Sequence, residues 1–154
     1  MNQPADLPPT RYPDPLDLQH ALSRLHLADV SDDSFTRDGP RADVEYRDLG
    51  LSAATNGRIG AKHIRAIKPF PQPTGWHWHD MTGHFVFVLK GWISFRFKGV
   101  DGDVTVKAGG FLSQPAGVPH NVVARSDDLE LIEINMPADF GTRELDAPID
   151  APQP

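Results

Sequence analysis

The chain has 154 residues, with 15 basic and 21 acidic side chains, seven histidines and no cysteine. A net charge of −6 repels phosphate backbones and sets nucleic acid aside as a partner. The missing cysteines exclude disulfides, thiolate nucleophiles, iron–sulfur clusters and Cys-type zinc sites, so any metal must be held by nitrogen and oxygen.

The opening stretch, MNQPADLPPTRYPDP, has neither the basic-then-apolar pattern of a signal peptide nor the Arg-rich pattern of a transit peptide. The longest apolar run, Phe85 to Leu89, falls far short of the roughly 20 residues a membrane-spanning helix needs. The expectation is a cytoplasmic protein that makes no membrane contact. From Asp14 to Asp29 the spacing of Leu18, Leu22 and Leu25, with Asp14 as N-cap and Pro15 at the first helical position, predicts a short amphipathic helix. Residues 30–41 have the Ser, Asp, Gly and Pro content of a loop.

From Val44 the pattern changes to short runs rich in Val, Ile, Phe and Trp, bounded by Gly, Pro and Asp-Gly turns. Strands are predicted at Val44 to Leu49, Ile59 to Lys68, Trp76 to His79, His84 to Lys90, Trp92 to Lys98, Val104 to Lys107, Phe111 to Gln114, His120 to Arg125 and Leu129 to Asn135. Short antiparallel strands at this spacing give an all-β sandwich or barrel. The organisation read from these changes is an N-terminal extension over 1–43, a barrel over 44–137 and a Pro-rich tail over 138–154.

Five histidines, His63, His77, His79, His84 and His120, fall in the β-rich part, whereas His20 and His26 lie on or near the predicted helix and are read as surface residues. On a strand, His77 and His79 at i, i+2 project from one face and Trp76 and Trp78 from the other, a geometry that chelates one ion. Composition alone yields about 0.3 such doublets in a chain of this length, so the pair carries little weight by itself. The segment GGFLSQPAGVPHN is more specific. Its Gly109, Pro115, Gly117 and His120 spacing arises about 0.004 times by chance. Gly109 permits a tight bend, and Pro115 with Gly117 builds a rigid turn that delivers His120 to the next strand.

Together, PQPTGWHWHDMTGHFVFVLKG (Pro71 to Gly91) and GGFLSQPAGVPHNVVA (Gly109 to Ala124) resemble the two motifs of the cupin superfamily, G-x5-H-x-H-x(3,4)-E-x6-G and G-x5-P-x-G-x2-H-x3-N. The second motif departs only at its last position, Ala124. The first departs at Pro71, which stands for the opening Gly, and at His84, which stands where the family has a Glu ligand. The resemblance covers residues 44 to 137, about 60% of the chain.

It implies a double-stranded β-helix, or jelly-roll, barrel enclosing one divalent transition metal, held by His77, His79, His84 and His120, in a homodimer or higher homo-oligomer. Fe(II) is favoured, and Ni, Mn, Zn or Cu is compatible with the same donors. With imidazole in place of the carboxylate, the donor set is neutral and leaves the ionic charge uncompensated, which favours a small anionic or enolisable molecule. Should His84 swing away, a three-His face remains. His63 and Arg65, together on one strand face, and Gln114 and Asn121, flanking the second motif, are pocket candidates.

The resemblance and donor charge favour a non-haem Fe(II) dioxygenase of the β-diketone-cleaving type. The alternatives are a redox-neutral metal-dependent isomerase, lyase or cyclase, and a non-enzymatic barrel that binds a small molecule.

Overall fold

The computed structural model describes residues 23–29 and 31–147. Among these described residues, ten strands form two five-stranded sheets: β1 (Val44–Asp48), β2 (Gly60–Ala66), β3 (Trp76–His79), β4 (Gly83–Lys90), β5 (Trp92–Phe97), β6 (Val104–Lys107), β7 (Phe111–Gln114), β8 (His120–Arg125), β9 (Glu130–Met136) and β10 (Thr142–Leu145). The first sheet runs β1-β2-β9-β4-β7 and the second β10-β3-β8-β5-β6, with every pairing antiparallel. The all-β architecture expected from the strand pattern, and the jelly roll that the resemblance implies, are what is observed.

Period-2 alternation decides what enters the space between the sheets. Register places Tyr46, Ile64, Leu131 and Val88 in one row across the first sheet, and Glu133 with Val86 in the next. Val86, Val88 and Leu131 pack in one cluster with Ile93, Phe95, Phe97, Val106 and Val122 of the second sheet, all buried. Each large side chain so buried contributes about 1.5–3 kcal/mol, so the core holds the sheets together along most of their length. The row that continues past Val86 and Glu133 is polar: His84 faces Asn135 on one side and Gln114 on the other.

Two differences from the expected elements matter. The described part of the expected N-terminal helix, residues 23–29, is not helical, and the rest of that span lies outside the described residues. Residues 138–154, expected as a tail, contain β10, which pairs with β3 so that Thr142 lies opposite His79. A four-residue helix, α1 (Leu51–Ala54), also stands between β1 and β2. Among the described residues no helix is long and apolar enough to cross a membrane.

Candidate metal centre

β3 has the sequence WHWH, and its alternation turns His77 and His79 toward the interior and Trp76 and Trp78 to the outer side. Its one paired position on β8 sets His77 directly opposite His120. Gly109 and Gly117 adopt φ of 83° and 71°, the left-handed turns that bring His120 to the start of β8. The ring centroids lie 4.4 Å apart for His77 and His120, 5.1 Å for His77 and His79, and 5.2 Å for His79 and His120. One donor atom from each of the three lies within 4.8 Å of the others.

The second nitrogen of each ring explains why these donors suit a metal. Nδ1 of His77 donates to the Gly75 carbonyl at 3.0 Å, and Nδ1 of His120 donates to the Val118 carbonyl at 3.0 Å. A carbonyl only accepts, so both protons sit on Nδ1 and both Nε2 atoms keep their lone pairs. His79 Nδ1 bonds to the Thr142 hydroxyl at 2.8 Å. Rings tied through the non-ligating nitrogen are the usual support of imidazole metal ligands. Burial disfavours the charged rings. It lowers His77 and brings His79 to about 4 and His120 to about 3, with neighbouring histidines adding to the shift and the Gly75 and Val118 carbonyls opposing it. All three are therefore neutral at pH 7, the form that binds a cation, and the residues fit a divalent transition metal.

His84 is inside the barrel and 5% exposed, with its ring 5.4 Å from His79 and 5.8 Å from His120. Its Nε2 is engaged elsewhere, 2.7 Å from Glu133 Oε1 and 3.3 Å from Gln114 Nε2. The structure thus sets a three-His face beside a His84–Glu133 pair. Burial raises the Glu133 carboxyl, but the His84 hydrogen bond and the His84, His79 and Lys62 charges outweigh it and hold the group below its ordinary value. The expectation of an uncompensated, carboxylate-free cavity is corrected: the Glu absent from position 84 has a counterpart on β9, one hydrogen bond behind the histidine that replaced it.

Of the pocket candidates, only Gln114 belongs to this site; it is 3% exposed, and its Oε1 is buried without a partner among the described residues. Asn121 follows His120 on the strand and so faces the other way, where its Oδ1 accepts from the Thr74 hydroxyl. His63 and Arg65 do share a face, but it is the outer one. His63 pairs with Glu130 and meets Phe35 edge-on, and Arg65 pairs with Glu45 and Asp32. One residue was missed, Glu133. Glu133 had a signal: in LELIEIN it falls on the face that Leu129 and Leu131 mark as inward.

The family model described as "Cupin domain" matches residues 67–135. No curated protein matches the sequence. Among solved structures, the polyketide cyclase RemF from Streptomyces resistomycificus is similar at 18% identity and a TM-score of 0.59, over 81% of this chain and 89% of that one. KdgF from Halomonas sp. is similar at 16% identity and a TM-score of 0.54, over 70% and 92%. Oxalate decarboxylase from Bacillus subtilis is similar at 19% identity and a TM-score of 0.54, over 67% of this chain and 28% of that one. The chain therefore spans little more than a quarter of the decarboxylase, and these likenesses establish the fold alone.

Proposed function

We propose, from the premise that residues 67–135 form a cupin domain, that the chain is a mononuclear metal-dependent enzyme acting on a small enolisable or carboxylate-bearing molecule. The observation that supports it most is the convergence of His77, His79 and His120, with the Nδ1 atoms of His77 and His120 committed to carbonyls and that of His79 to a hydroxyl. These residues would hold one divalent transition metal, which supplies Lewis acidity toward a chelating oxyanion and, as iron, access to O2 chemistry. Glu133, ionised and hydrogen-bonded through Oε1 to His84 Nε2, is the group that takes the proton when a substrate is enolised beside the three histidines. Phe97, 5.8 Å from His120, and Phe140, 5.2 Å from His79, place apolar rings against the site and lower its local dielectric.

Within this reading an Fe(II)-type dioxygenase is favoured by a donor set made of imidazoles alone. The redox-neutral reading, an isomerase, lyase or cyclase, is favoured by the His84–Glu133 pair, since such a reaction needs an acid–base group besides the metal. Fe(II)-loaded protein would be given β-diketones, α-keto acids and catechols in an oxygen electrode, and Zn(II)-loaded protein the same panel under argon in D2O. Oxygen uptake with Fe(II) supports the dioxygenase. Deuterium incorporation or product formation with Zn(II) and no oxygen supports the redox-neutral enzyme. Tight binding with neither would contradict both and leave a small-molecule binder.

A further inference from the structure

β2 alternates like its neighbours, and Ile64 and Ala66 on its inward face pack against the core. Lys62 shares that face but is exposed, because here the barrel opens to solvent. The same opening leaves the Glu133 side chain 27% exposed and, on the facing sheet, His79 partly exposed. Register sets Lys62 directly opposite Glu133 of β9, which puts their Cβ atoms about 4.5–5.5 Å apart. The ammonium stays on the inner side: its Nζ lies 5.9 Å from the centroid of the Tyr46 ring, and Tyr46 is an inward residue only 8% exposed. Among the described residues Lys62 forms no ion pair. Asp48, its register partner on β1, accepts from the Gly50 amide at 2.7 Å, and Glu133 Oε1 is 2.7 Å from His84 Nε2.

Strand order gives these positions a direction. β4, β9 and β2 are neighbours in the first sheet, so His84, Glu133 and Lys62 follow one another across it, with the three histidines facing them from the second sheet. A molecule held with its carbonyl toward the histidines and its acidic C–H beside Glu133 meets Lys62 with the group attached to that carbon. An ammonium is a compact charge with three donors, and a carboxylate is its strongest common acceptor. From this placement we propose that Lys62 anchors the substrate's carboxylate, so that the molecule turned over is a β-keto acid whose carboxylate lies beyond the enolisable carbon from the histidines, and not a neutral diketone. Lys62 and Glu133 offset each other in charge, so a divalent ion on three neutral imidazoles leaves the pocket favouring an anion. The inference rests on the proposed function in taking the barrel interior as the substrate pocket, and it adds the substrate's charge and the end at which that charge sits.

The test is calorimetric titration of the Ni(II)-loaded and metal-free forms with acetoacetate and with acetoacetamide, which replaces the carboxylate by a neutral amide of nearly the same shape. The variants are Lys62→Met and Lys62→Arg, with metal content and thermal midpoint recorded for each. Wild type is expected to prefer acetoacetate by about tenfold or more, the scale of one charge-assisted contact, and the preference should shrink as salt is raised. Lys62→Met should reduce the preference about tenfold in both forms with acetoacetamide binding unchanged, and Lys62→Arg should keep most of it. Absence of preference in the wild type, or the same preference in Lys62→Met, would overturn the role of Lys62. Failure of the wild type to hold metal would instead overturn the proposed function, while the metal-free titration still reads the Lys62 preference.

Discussion

Main-chain carbonyls orient His77 and His120, whereas His79 depends on one side chain, the Thr142 hydroxyl 2.8 Å from its Nδ1. Thr142→Val removes that partner at nearly constant volume and should weaken metal binding about tenfold, measured by competition with a chelator; unchanged affinity would show that the hydroxyl does not support the ring. The same three rings make the metal-free protein sensitive to acid. An unfolded chain takes up these protons near 6.5, whereas burial holds folded His79 to about 4 and His120 to about 3. Between those limits the unfolded state binds more protons, so this contribution is complete above about pH 6.5 and shrinks as pH falls toward 4. Urea midpoints of metal-free protein should be lower at pH 5 than at pH 7.5, and His120→Asn should narrow the gap; equal midpoints in the wild type would contradict this. At this scale the sequence was partly legible. The spacing of two motifs located His77, His79 and His120. Asn121 was expected in the pocket and Glu133 was missed, although the period of a strand turns the first away from the three histidines and the second inward; only position in the fold connects Glu133 to His84.

Strands with both flanks marked by turns were legible to the residue: β3, β6, β7 and β8 begin and end where Gly, Pro and alternating apolar residues place them. β10 was not, because TREL has no apolar alternation and sits among prolines; it is a strand because β3 offers an edge to pair with. The final glycine of the first motif, Gly91, acts at the level of elements and not of chemistry. It joins β4 to β5 with φ of 70°, and an added Cβ would meet Ser126 Oγ at 2.0 Å and the Leu129 backbone at 3.2 Å. Gly91→Ala should therefore cost about 1–3 kcal/mol, read as a lower urea midpoint, with metal stoichiometry retained. A neutral effect would mean that the β4–β5 turn has room the structure does not show.

Across the whole molecule, two sheets must hold a fixed separation for the three rings of β3 and β8 on one sheet to stand beside His84 of β4 and Glu133 of β9 on the other. The apolar cluster does most of this, and the buried Asp43–Arg125 pair ties the segment before β1 to the end of β8 remote from His120. Arg125 also donates to the Lys68 carbonyl at 2.9 Å, so its charge is satisfied on more than one side. Asp43→Ala leaves that guanidinium buried without its counter-ion and should cost about 3–5 kcal/mol, while Asp43→Ala with Arg125→Met should recover most of the loss. If the single and double variants unfold alike, the pair does not act as the clamp described. No local pattern marks these two residues as partners across 82 positions of chain, which is why the sheet pairing was legible in class but not in detail. The claim on which the rest depends is that three histidines, and not four, hold one metal. Elemental mass spectrometry of protein purified without a metal-binding tag should find about one metal per chain in the wild type and in His84→Ala, and none in His120→Ala. Loss of metal in His84→Ala would make His84 a ligand, and no metal in the wild type, even after Fe(II), Ni(II), Mn(II) or Zn(II) is added, would contradict the metal centre altogether.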